Sequence, residues 1–240
     1  MISPEKIFEV TEAFCKAKAD PAIVLKYSKY FREGYDAYGL PHGMLSQKVD
    51  EILALPGITN DMVNKVCLQL VSSPKYEMTS TAILLLSKTS KQWDQETFAT
   101  VEKMFSTGIN NWGHTDYICG EIIPELIKKK LITMDSLKPW RKAVNKFQRR
   151  AAVVGLIKTM KKSADFKPYF DFIDVMMADE ERVVHQGLGW FLREAWKKQA
   201  EPTEKFLMKW KDSAARLIFQ YATEKMTAEQ KLRFKKDKTK

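Results

Sequence analysis

Two pairs of side chains in this chain have the types and spacing to act on a flat, charged substrate. Trp190 and Arg193 are three residues apart, and Trp112 and Asp116 are four apart, so on helices each pair shares a face. An indole held away from a core offers its face to a cation, a base or a sugar. A guanidinium beside it suits phosphate. A carboxylate beside the other suits a developing positive charge or an attacking water. Bland readings stand next to both: Trp190 packed under a further helix with Arg193 solvating an edge, and Asp116 capping a helix while Trp112 staples the preceding turn. A third feature is Arg149-Arg150, which opens the nearly all-apolar stretch from Phe147 to Ile157 and needs acidic partners or an anion such as phosphate.

Helices must position these groups. From Arg182 to Trp196, Val184, Leu188, Phe191, Leu192 and Ala195 fall on one core-facing stripe, and Trp190 and Arg193 lie roughly 150° from it, with Gln186 and Lys197 beside them. Asn110 and Asn111 are good N-caps for a helix that starts at Trp112 and continues through Ile118, Cys119, Ile122, Ile123 and Leu126. Ser3-Pro4 and Asp20-Pro21 each read as an N-cap followed by proline at the first helical position, predicting helices over about 4–17 and 21–33. Between Tyr35 and Gly43, glycine, proline and aromatics make a defined loop whose tyrosines either meet a partner or plug the first helices.

From residue 58 two kinds of amphipathic helix alternate. One kind starts near Ile58, Asp94, Met134 and Asp165; the other starts near Glu77, His114, Phe147 and Glu181. A period of roughly 35 residues without strand-like alternation predicts an all-α solenoid of HEAT-like antiparallel repeats, one helix of each pair lining a concave face. Residues 202–226 add one or two helices, and residues 231–240 should fray into a basic tail. The expected organisation is one domain over 1–240: N-terminal helices and aromatic loop to 57, repeats with the site over 58–199, C-terminal helices and tail from 200.

Composition narrows the partner. Lys and Arg number 40 against 30 Asp and Glu, a net charge of +10, which favours a polyanion. Most of the positive residues are lysine, so charge alone speaks weakly. Cys15, Cys67 and Cys119 sit in helical patterns without CxxC, and His42, His114 and His185 lie far apart, so reduced buried thiols are expected and no metal site is readable. The N-terminus lacks a signal-like pattern and no apolar run reaches the roughly 20 residues of a membrane span, so a soluble cytoplasmic protein is expected.

Taken in order, these segments resemble the AlkD-type branch of the DNA alkylation repair family, helical-repeat glycosylases that remove alkylated purines. Tyr30, ahead of Phe31 and Gly39-Leu40, looks like the family's concave-surface tyrosine. Trp112-x-x-x-Asp116 looks like its catalytic tryptophan and aspartate. Arg149-Arg150-Ala151-Ala152 resembles its Arg-Ala-Ala segment, with Arg150 as a DNA contact. Gly189-Trp190-Phe191-Leu192-Arg193-Glu194 resembles its Gly-Trp-x-Leu-Arg-Glu. Departures are Gly113, where the family usually has Asp, together with His114 and the loop Leu40-Pro41-His42.

The resemblance implies a monofunctional DNA glycosylase for cationic N3- or N7-alkylated purines in duplex DNA. Asp116, Trp112 and Trp190 would be catalytic, and Tyr30, Arg150 and Arg193 would bind DNA. It implies no cofactor, no metal, no obligate protein partner and no membrane, and a monomer is expected. Excision without flipping the base into a pocket is expected, since no enclosed-pocket motif is seen. The alternatives are a non-catalytic binder of DNA structure on the same scaffold, and a helical-repeat scaffold for protein partners.

Overall fold

Short polar side chains start the helices. Ser3 accepts from the Lys6 amide at 3.2 Å ahead of the helix Pro4–Ala17, and Asp20 accepts from Ala22 at 2.8 Å ahead of Pro21–Ser28. Thr59 caps Asn60–Val71, and Asp94 with Thr97 forms a capping box on Gln95–Thr107. The computed structural model describes residues 2–236, and every regular element among them is a helix, with no strand.

Contacts divide the chain into two compact units, Met1–Leu131 and Ile132–Lys240. In the first, Asn60–Val71 packs on Tyr76–Lys88, Gln95–Thr107 and Pro4–Ala17, and Tyr76–Lys88 also packs on His42–Leu53. Tyr76–Lys88 is the central helix: every residue from Glu77 to Leu86 is buried, apolar ones on all sides. In the second unit Arg182–Trp196 is central, packed on Lys146–Val154, Ala200–Trp210 and Arg216–Ala222. Its expected core stripe of Val184, Leu188, Phe191, Leu192 and Ala195 is fully buried.

The pairing of each helix with its neighbour and next neighbour is that of stacked helical repeats. Most expected starts lie within two residues of the observed ones, as at Asn60, Gln95, Tyr76, Trp112, Lys146, Lys167 and Arg182. Four expectations need correction. The helix expected over 21–33 ends at Ser28, because Phe31 turns inward to stack between Tyr35 and Trp112. The repeat start at Met134 is two short 3-10 turns, Met134–Leu137 and Pro139–Lys142, divided by Pro139, which lacks an amide to continue the ladder. The apolar stretch after Arg149 breaks at Gly155 and resumes as Ile157–Met160. The tail is ordered as far as it is described: Ala228–Leu232 is a capped helix and Phe234 is buried, its carbonyl accepting from Arg216 at 2.8 Å. The rest of that tail, 237–240, lies outside the described residues.

Cys15, Cys67 and Cys119 are buried and free, and burial pushes the Cys15 and Cys67 thiols up to about 12, far from thiolate reactivity. No helix among the described residues is long and apolar enough to cross a membrane.

Candidate functional site

Asn111 fixes the first pair. Its side-chain oxygen accepts from the His114 amide at 2.9 Å, so Trp112 is the first residue of the helix Trp112–Tyr117 and Asp116 lies one turn on. Pro124 has no amide to give the carbonyl four residues back, and the helix passes through a π turn, Ile118–Ile122, before Ile123–Lys128. Below that turn the apolar set Ile118, Cys119, Ile122, Ile123 and Leu126 is buried, as the pattern predicts.

Trp112 is 41% exposed and is held by rings. Phe31 stacks on it at 5.5 Å between centroids, Tyr35 stacks on the far face of that group at 4.6 Å from Phe31, and Tyr76 meets Phe31 edge-on at 5.4 Å. The indole N–H donates to the Tyr30 carbonyl at 3.1 Å, which ties Tyr30 to Trp112 and leaves the Tyr30 ring exposed beside Tyr27. From the aromatic loop Tyr35 packs on Phe31, which in turn stacks on Trp112.

A buried carboxylate holds that loop. Glu77 is 1% exposed and accepts from the amides of Tyr38, Gly39 and Leu40 at 2.8, 2.7 and 3.1 Å. Gly39 is required there: its φ is +89°, and a Cβ would lie 2.1 Å from the Asp20 carbonyl oxygen. Sequence reading placed Glu77 only as a helix start. The signal was a lone carboxylate inside the apolar run of Tyr76–Lys88.

The family departures also fall here. His114 is 4% exposed, stacks on Tyr76 at 4.1 Å, and bonds Asn111 Nδ2 through Nδ1 at 2.8 Å and Ser80 Oγ through Nε2 at 2.9 Å. Burial lowers its pKa to about 3, so the ring is neutral. Because Asn111 Oδ1 is used by the His114 amide, Nδ2 faces Nδ1 and donates to it, which puts the ring proton on Nε2. At Gly113 a Cβ would stand 3.0 Å from the Tyr76 hydroxyl and 3.6 Å from Phe31. Gly113 and His114 thus shape a half-open cavity of about 500 Å³ next to Trp112, walled by rings that include Tyr30, Phe31, Tyr76 and Tyr117. Asp116 is not among its lining residues.

In the second unit the second face of Arg182–Trp196 is partly covered. Gly189 lets Arg216–Ala222 approach so closely that a Cβ would lie 2.4 Å from the Tyr221 Cβ, and Gln186 donates to the Tyr221 hydroxyl at 2.8 Å. Arg193 pairs with Glu224, while its Nε lies 3.5 Å from Glu194. Lys197 bonds Glu194 at 3.1 Å, and Lys161 reaches the same carboxylate at 2.5 Å. Burial pushes the Glu194 carboxyl up, but the bonds and charges of Lys161 and Lys197 outweigh it and hold the group below its usual range. Trp190 stays half-buried on this helix. Of the arginine pair, Arg149 takes the salt bridge, donating to Asp179 at 2.7 Å and to the Ala143 and Val144 carbonyls, and Arg150 is 6% exposed with a bond to the Val183 carbonyl at 2.8 Å. The structure thus gathers Tyr30, Trp112 and Asp116 in one unit and Arg150, Trp190 and Arg193 in the other.

The sequence pattern of the DNA alkylation repair enzymes matches residues 12–226. A solved structure of a predicted DNA alkylation repair enzyme from Enterococcus faecalis superposes with a TM-score of 0.73 at 15% identity, over 88% of this chain and 97% of that one. AlkD2 from Streptococcus mutans gives 0.58 at 20% identity, over 87% and 99%, and smu.31 from Streptococcus mutans UA159 gives 0.57 at 20%, over 76% and 91%. At those identities the likeness shows the fold alone. No curated protein matches the chain. The pattern match extends from the first helix to the turn before the last, and on that ground the chain belongs to the DNA alkylation repair enzyme family.

Proposed function

We propose that this protein is a DNA glycosylase that hydrolyses the bond between deoxyribose and a cationic N3- or N7-alkylated purine in duplex DNA. The observation that supports this most is the pairing of a half-exposed indole, Trp112, with Asp116 one helical turn away, in a chain of the DNA alkylation repair family.

The chemistry asks little of the protein at the base. As the C1′–N bond breaks, its electron pair goes to the purine ring, which becomes neutral and leaves without a proton from a general acid. Positive charge then develops on the sugar. The Asp116 carboxylate would stabilise that charge, orient a water towards C1′ and accept the proton the water releases. The face of Trp112 would attract the same cation, by roughly 0.5–2 kcal/mol, and Trp190, in the other unit, is proposed as a second cation-attracting ring. Tyr30, Arg150 and Arg193 are proposed to hold the strand, the arginines through phosphates. Arg193 would exchange Glu224 for phosphate to do so. Since Asp116 does not line the aromatic cavity, excision is proposed to take place outside it, with the damaged purine left in the duplex.

The test is release of free base from duplexes carrying N7-methylguanine, with an undamaged duplex alongside and binding measured across a salt series. The expected result is release from the damaged duplex only, with affinity falling steeply as salt rises. Salt-sensitive binding without release would instead support a non-catalytic DNA binder. Salt-independent behaviour would remove DNA as the partner.

A further inference from the structure

The cavity beside Trp112 has chemistry that excision outside it leaves unused. Its wall is a set of aromatic rings, Tyr27, Tyr30, Phe31, Tyr35, Tyr76 and Trp112, closed behind by Ile83 and Leu84. No carboxylate, lysine or arginine is among the described residues lining it. Such a wall suits an uncharged planar ring. One polar chain ends in it. Asn111 donates to His114, and the His114 Nε2 proton faces Ser80 Oγ on the cavity wall. The Tyr76 phenol on the same wall carries an O–H donor. Cations stand at the rim: the Lys26 and Lys29 ammonium groups lie over the Tyr27 and Tyr30 rings at 5.5 and 5.2 Å, and neither is in an ion pair among the described residues. Stacking rings inside and unneutralised cations at the rim are the two halves of a site for a single-stranded nucleotide.

We infer that this cavity is a second DNA subsite, which takes one unpaired, uncharged nucleobase of the bound strand while Lys26 and Lys29 hold the adjoining phosphates. The inference rests on DNA being the partner, as proposed above, but not on excision. About 500 Å³ is ample for one base. The absence of a carboxylate in the wall sets this subsite apart from the Asp116 side, where a cation is expected. Gly113 belongs to the subsite for the same reason, since any side chain there would enter the space in front of the Tyr76 hydroxyl.

The experiment compares two duplexes of the same sequence, one fully paired and one with a single unpaired 2-aminopurine, at equal salt. The native chain should bind the second about tenfold more tightly and quench its fluorescence by stacking. Gly113→Leu should erase that preference and the quenching while leaving affinity for the paired duplex and the melting temperature nearly unchanged. If Gly113→Leu fails to fold, Phe31→Leu and Tyr76→Phe provide the same reading, the first by removing a ring and the second by removing only the donor. Equal affinity for the two duplexes, or a preference that survives these variants, overturns the inference. Release of N7-methylguanine is scored in parallel on the native chain. Release without the preference would remove the subsite and leave the glycosylase standing; the preference without release would do the reverse.

Discussion

The surroundings of Trp112 and Trp190 differ in kind, although each tryptophan sits on a helix with a charged residue one turn away. Trp112 is fixed by Phe31, Tyr35 and Tyr76 and by a bond to a backbone carbonyl. The helix of Trp190 is fixed by ion pairs, Arg193 with Glu224 and Glu194 with Lys161 and Lys197. Apolar stacking is indifferent to salt, whereas half-exposed ion pairs are screened at high ionic strength. One region should therefore behave as a rigid aromatic platform, and the other as a set of cations that ionic strength and competing anions can release.

The buried Glu77 carboxylate holds the platform's loop, and removing it should have the largest effect. Glu77→Ala leaves three loop amides without their acceptor, and urea denaturation should show a loss of about 3–5 kcal/mol with Trp112 fluorescence shifted as the loop comes away. A loss under 1 kcal/mol would mean that water replaces the carboxylate and that the aromatic loop supports itself. Next comes acid. His114 titrates at about 3 in the fold against 6.5 when unfolded, so its contribution is complete above pH 6.5 and is lost as pH falls towards 3, with a slope of up to about 1.4 kcal/mol per unit. Stability measured from pH 7 to 4 should show that slope in the native chain and lack it in His114→Gln.

Smaller effects belong to the second region. Gly189→Ala should force Arg216–Ala222 outwards and reduce stability by about 1–3 kcal/mol, without altering excision per molecule folded. Smallest is Glu224→Gln, which removes one of the two carboxylates beside Arg193. DNA affinity should rise severalfold at low salt, and the gain should disappear at high salt. A fall in affinity would show that Glu224 orients Arg193 for the strand rather than competing with it.

Helix starts were legible because capping chemistry is local: Ser3, Asp20 and Asn111 each accept from an amide two or three residues on. The core stripe of Arg182–Trp196 was legible because burial follows the helical period. What reading by period missed depends on contacts distant in sequence. Glu77 meets Tyr38, Gly39 and Leu40 across nearly forty residues, and Ser80 meets His114 across thirty-four. Gly113 and His114 stood out only as departures from a pattern, and their use is visible once Tyr76 is placed between them and the loop. Sequence alone leaves Arg193 to phosphate or to solvating an edge, whereas a carboxylate thirty-one residues on holds it.

The most direct test of the account is a single-turnover comparison of the native chain with Asp116→Asn on duplex DNA carrying N7-methylguanine, with the dissociation constant measured on the same duplex. The expected result is loss of excision by at least about a thousandfold in the variant, with affinity changed less than about threefold. Equal excision by both chains would contradict Asp116 as the group that stabilises the sugar cation, and loss of binding along with excision would make it a structural residue.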